Sequence, residues 1–170
     1  PMCPSGGETP IYPHGRNYAR DALNFEWPAD VATLFMVADR DSWLPLYGQI
    51  ELLGKASRNK RMIVLKRADH NHFVDDIAYG HEWLRQFTLS LVDVEAEGGA
   101  DWRCIANSIA PYAELCTQER AHLCWRGLVT AHMDAHLKGT AEARSLLDAD
   151  IIGSLASRGI DAVQILGKAA

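Results

Sequence analysis

No apolar run in this chain reaches the roughly 18 residues that a membrane-spanning helix needs. No charged segment followed by an apolar one opens it, so neither a membrane anchor nor a secretion leader is expected. Basic residues are in the minority: 17 Lys and Arg stand against 22 Asp and Glu, the formal net charge is −5, and no basic block stands out. Nucleic acid is therefore not an expected partner. Cysteine is sparse and unpatterned. Cys3, Cys104, Cys116 and Cys124 make no CxxC pair, and Cys116 and Cys124 lie too far apart along one expected helix to bridge. Reduced thiols and a cytoplasmic location are the corresponding expectations. Internal repeats and low-complexity segments are also missing, which excludes solenoids and long disordered linkers. No cofactor is expected.

What is present suits one ordinary soluble domain: 170 residues, 48% hydrophobic and 23% charged. Residues 1–30 are rich in Pro, Gly and polar groups and predict an irregular arm. The chain begins at Pro1, and "PMCPSGGETP" resembles the interior of something longer, so a tag remnant or a truncation is expected there. "VATLFMVA" (31–38) and "RMIVLKR" (61–67) are short apolar runs of β-formers, as in strands buried on both faces. Between them, Ser42 can cap a helix and Pro45 suits its first turn. "LYGQIELLGKAS" sets Leu46, Ile50 and Leu53 on one helical stripe. Strand, helix and strand form a βαβ unit, so the two strands should be parallel.

Further on, Ile77, Trp83, Leu84, Phe87 and Leu91 mark one face of a helix over about 75–93. A long helix is expected over about 112–137, with Leu115, Leu123, Leu128, Ala131 and Ala135 on its apolar surface. Gly139 should stop it and Thr140 cap a short helix through Leu147. "GIDAVQIL" reads equally as a strand or an amphipathic turn. Two strands, both apolar on both faces, leave bare edges and uncovered surface. A second copy or another chain is expected to cover them.

Functional groups of α/β folds gather in loops after the carboxyl ends of strands. The first strand ends in "ADRDSW" and the second in "ADHNHF". An acid loop and a histidine loop should thus share one edge of the sheet. A carboxylate that orients an imidazole and stabilises its protonated form is what nucleophilic hydrolysis requires.

"ATLFMVADRDSWLP" resembles the acid loop of α/β-hydrolases, and "KRMIVLKRADHNHFVD" resembles their histidine loop, above all in dienelactone-hydrolase-like and lipase-like members. "TQERAHLCWRGLVTAHMDAHLKGTAEARSLL" is similar to their terminal helix. The resemblance spans about 28–148 and implies a partial α/β-hydrolase-like parallel sheet of two to three strands with flanking helices. Residues 31–170 would be the C-terminal half of that fold. It implies Asp41 as the acid and His70 as the base, with His72 as the alternative base. The chain lacks the family's nucleophile elbow, G-x-S-x-G. Ser5 in "PSGGE" follows a proline and has no strand before it. The leading expectation is therefore an acid and a histidine without a serine, in an oligomeric chain that is inactive alone. The alternative is a serine hydrolase of small esters or lactones, completed by an N-terminal hydrolase half or a partner chain.

Other uses of these residues stay open. Asp41 is also a good helix cap, and Asp39 and Arg40 suit a solvated turn. In an extended segment His70 and His72 would point to one side and, with Asp69 or His81, suggest a small metal-binding protein. His132 and His136 lie one helical turn apart with Asp134 between them. Trp27, Trp83, Trp102 and Trp125 are expected to pack in a core or interface. Trp43, two residues past Asp41, is placed to line a pocket beside it.

Overall fold

A computed structural model describes residues 24, 26, 31–56, 59–94 and 100–166. The N-terminal arm, with Ser5, Cys3 and Trp27, lies outside the described residues apart from Asn24 and Glu26. Strand β1 (Thr33–Ala38), helix α1 (Leu46–Lys55) and strand β2 (Lys60–Leu65) form the expected unit. The two strands pair in parallel, from Thr33 opposite Lys60 to Ala38 opposite Leu65. Helices α2 (Ile77–Ser90), α3 (Trp102–Ser108) and α4 (Gln118–Met133) follow. A π turn (Asp134–Lys138) extends α4, and α5 (Ala141–Asp148), α6 (Ile151–Ala156) and β3 (Ala162–Leu166) complete the order.

The centre of the molecule is β2. Met62, Ile63, Val64 and Leu65 are at most 1% exposed, so both faces of this strand are covered. Side chains alternate across a strand. Ile63 and Leu65 accordingly join Ala38 against Cys124, Leu128 and Ala135 of the α4 layer. Met62 and Val64 join Val37 and Leu53 on the α1 side. Each such side chain contributes roughly 1.5–3 kcal/mol of burial free energy.

The sheet is mixed, not wholly parallel. Its order is β1-β2-β3, and β3 runs antiparallel to β2, with Ala162 opposite Leu65 and Leu166 opposite Arg61. The reason is where the chain re-enters. After α6 it turns through Gly159, whose φ of 71° favours glycine. It meets β2 at that strand's carboxyl end and can only run back along it. Among the described residues, the outer edge of β1 has no strand partner.

Three helix expectations shift. In α1 the buried stripe is Gln49, Leu52 and Leu53, and Ile50 is exposed. In α2 the inward face is Ile77, His81, Leu84 and Thr88, while Trp83 and Phe87 lie outside. The long helix over 112–137 is interrupted. A single 3-10 turn (Tyr112–Glu114) comes first, and Leu115 and Thr117 are extended. The Cys116 amide donates to the Arg67 carbonyl there, which draws this segment onto the loop after β2 and delays α4 to Gln118. Leu123 is exposed, whereas Leu115, Leu128, Ala131 and Ala135 are buried as expected. Gly139, at φ 72°, stops the π turn. Cys104, Cys116 and Cys124 are free thiols, and burial pushes the Cys124 thiol up to about 12. Among the described residues, no helix is long and apolar enough to cross a membrane.

Candidate active site

The two loops meet. Beyond β1 the chain turns at Asp39 and Arg40. Asp39 is not a solvated turn residue: its carboxylate accepts from the Ala68 amide at 3.2 Å and pairs with Lys66 at 3.0 Å. That ties the end of β1 to the loop that follows β2. Asp41 uses its two oxygens separately. Its Oδ1 accepts from the amides of Trp43 and Leu44 at 2.9 and 2.8 Å and shapes the entry to α1. Its Oδ2 accepts from His70 Nδ1 at 2.9 Å. The helix itself starts at Leu46 with Pro45 in the capping position, so neither Ser42 nor Asp41 is its N-cap.

His70 arrives from β2 through a strained turn. Arg67 has φ 55°, a left-handed conformation that side chains with a Cβ rarely adopt. Replacing Arg67 by glycine is expected to leave the fold intact and to raise its stability by up to about 1 kcal/mol. Urea midpoints of the two proteins measure this, and a clear loss would mean that the Arg67 side chain, not its backbone, matters.

A carboxylate only accepts, so the Asp41 contact places a proton on His70 Nδ1 and leaves Nε2 as the basic nitrogen of the neutral ring. Among the described residues, Nε2 has no hydrogen-bond partner. Burial disfavours the charged ring, but the Asp41 hydrogen bond and the charges of Asp41 and Asp69 outweigh it, and the pKa is raised. The sign follows from linkage. The pair's contribution to folding is complete below the ordinary histidine value and is lost as pH rises through the raised one. Supply of neutral imidazole runs the other way and grows over that same rise.

The histidine loop is held from behind by a network the sequence did not announce. Asp69 is 3% exposed, His72 0% and His81 1%, so three ionisable side chains are fully enclosed. Asp69 Oδ1 meets His72 Nδ1 at 2.7 Å, and Oδ2 meets His81 Nδ1 in a short contact. His72 Nε2 donates to the Cys116 carbonyl at 3.1 Å. Trp125 Nε1 donates to the His72 carbonyl at 2.6 Å, and Asn71 Nδ2 donates to the Gly80 carbonyl at 2.6 Å. Burial works against the Asp69 carboxylate, but the hydrogen bonds and charges of the two imidazoles prevail and hold it below the usual carboxylate range. The His81 Nε2 atom is buried without a partner among the described residues.

This arrangement corrects two expectations. His72 has no exposed surface and both its ring nitrogens are engaged, so it does not serve as an alternative base. His70 and His72 do not point to one side, because residues 70–73 form turns and not a strand. Among the described residues, no three His, Cys, Asp or Glu side chains are placed to hold a metal. The one sign of the buried network in the sequence was an acid followed by histidines one and three positions later, in "DHNH".

Aromatic rings flank the pair. The Trp43 ring lies 6.0 Å from His70, 6.0 Å from Phe87 and 5.6 Å from Trp102, centroid to centroid. Its Nε1 donates to Thr88 Oγ1 at 3.1 Å, which fixes the indole against α2. Trp43 thus stands beside the acid–histidine pair, as its position suggested. Trp125 is in the core, stacked on Phe73 at 4.7 Å. In comparisons with protein-family models, curated proteins and solved structures, nothing matches this chain.

Proposed function

We propose that Asp41 and His70 are the acid and base of an α/β-hydrolase-like site for small esters or lactones, in a chain whose described residues offer no nucleophile to the histidine. The observation that carries this is the 2.9 Å Asp41–His70 contact, with Nε2 left unpartnered among the described residues. Support comes from the parallel β1–β2 pair, which delivers both loops to one edge of the sheet. In a completed site, His70 Nε2 would take the proton of a serine hydroxyl as its oxygen attacks the ester carbonyl. It would then return that proton to the departing alcohol. Asp41 would hold the ring and stabilise its charged form. The edge of β1, without a strand partner among the described residues, would receive a second copy or a complementing hydrolase half.

Alone, the chain should be a weak esterase at most, with His70 acting on water. Its slow hydrolysis of p-nitrophenyl acetate is expected to fall at least about tenfold in His70→Ala. Equal rates for the two proteins would exclude a His70-dependent esterase. Light scattering checks the assembly state, and a stable monomer would remove the second-copy arm.

A further inference from the structure

A second site candidate lies at the opposite end of the strands. β1 and β2 carry Asp41 and His70 beyond their carboxyl ends; their amino ends, Thr33–Leu34 and Lys60–Arg61, border a cavity of about 330 Å³. Six residues are about 16 Å of strand, so the two places are separate. The cavity's other walls are the end of α4, the π turn and α5.

Its charge is lopsided. Lys60, Arg61 and Arg144 line it together with His132 and His136, and Asp148 is the carboxylate among the lining residues. Both guanidinium groups are anchored by the backbone and left without an acidic partner among the described residues. Arg61 Nη1 donates to the Leu147 carbonyl, and Arg144 Nε donates to the Ala135 carbonyl at 3.3 Å. A guanidinium has five N–H donors, so most of each fork remains unspent. The end of α4 adds one imidazole and the π turn another: His132 and His136 sit with ring centroids 4.6 Å apart. Burial and the neighbouring His136 and Arg61 hold His132 below its ordinary value, although its ring bonds to the backbone at Ala32. The positive charge of Arg61, which opposes a proton on His132, would attract an anion.

The chemistry selects the anion. Two arginine forks with further N–H donors around them suit the several oxygens and double charge of a phosphate monoester better than one carboxylate. The volume falls within the roughly 300–1,000 Å³ range of small-molecule sites, so the phosphate would bring an organic part. Leu34 and Leu147 supply apolar surface for it. We propose that this cavity binds a small phosphorylated molecule, its phosphate taken by Arg61, Arg144 and the two imidazoles. A metal reading of the His132–His136 pair is disfavoured, since two arginines beside it repel a cation.

Phenyl phosphate is the probe, with inorganic phosphate and benzoate alongside, followed by NMR of the His132 and His136 ring protons. Saturable shifts are expected with phenyl phosphate, together with an upward move in the pH at which His132 titrates. Arg144→Gln is expected to weaken binding by at least about tenfold, as loss of a charged hydrogen-bond donor does. Arg61 anchors Leu147 and its loss threatens the fold, so the exposed Arg144 and His136 are the decisive positions, with circular dichroism confirming the fold. An absence of saturable shifts up to about 10 mM probe, about ten-thousandfold weaker than micromolar recognition, would overturn the proposal. So would benzoate binding as tightly as phenyl phosphate, or affinity unchanged in both Arg144→Gln and His136→Gln.

Discussion

Asp69→Ala is expected to lower the unfolding free energy by about 3–5 kcal/mol, a large part of what a domain of this size possesses. The Asp69 carboxylate contacts two buried imidazoles and accepts from the Asn71 amide at 3.0 Å, so its removal strands several enclosed polar groups at once. Burial of those groups is tolerable only while they are paired. Asp69→Asn keeps one acceptor and should cost less. Urea unfolding with an unchanged slope measures both. The pH dependence has a definite sign. A carboxylate held below its unfolded value, about 3.9, contributes its stability above that value and loses it as pH falls through the folded one. The gap between wild type and Asp69→Ala should therefore be full at neutral pH and close on strong acidification. A loss under about 1 kcal/mol at neutral pH would show that the network relaxes or admits water.

Asp41→Asn separates the two oxygens of the acid. An amide oxygen can still accept from Trp43 and Leu44, so the entry to α1 should survive. What changes is the partner of His70 Nδ1. An amide nitrogen in that place donates, forces the other tautomer, and removes the charge that raises the His70 pKa. His70 is then expected to titrate lower by NMR, and its base contribution to ester hydrolysis to fall by about 10²–10⁴ in a completed site. Asp41→Ala should add a loss of about 0.5–2 kcal/mol in stability, because the turn amides lose their acceptor as well. If Asp41→Asn leaves the His70 titration unmoved, the pair is a packing contact and the proposed mechanism fails with it.

The sheet unit was legible because its signals are local. "TLFMVA" and "KRMIVL" are apolar without helical period, a helical stripe lies between them, and acid and histidine follow their ends. Pairing Asp41 with His70 needed only the inference that parallel neighbours bring their following loops together, and the contact is present. The helices were less legible in their facing. Trp83 and Phe87 fit the helical period of α2 as well as His81 and Thr88 do. Apolarity alone placed them inside, yet the imidazole and hydroxyl went in because Asp69 and the Leu84 carbonyl were there to bond them.

By itself, the sequence determined the two parallel strands, the crossover helix, and which two loops share an edge, since each rests on neighbours in the chain. Tertiary structure alone decided that β3 returns antiparallel, that His72 turns inward, and that Arg61, His132, His136 and Arg144 line one cavity. Those outcomes depend on partners far off in the chain, Cys116 for His72 at 44 residues and Leu147 for Arg61 at 86, and no local pattern encodes a hydrogen bond across that distance.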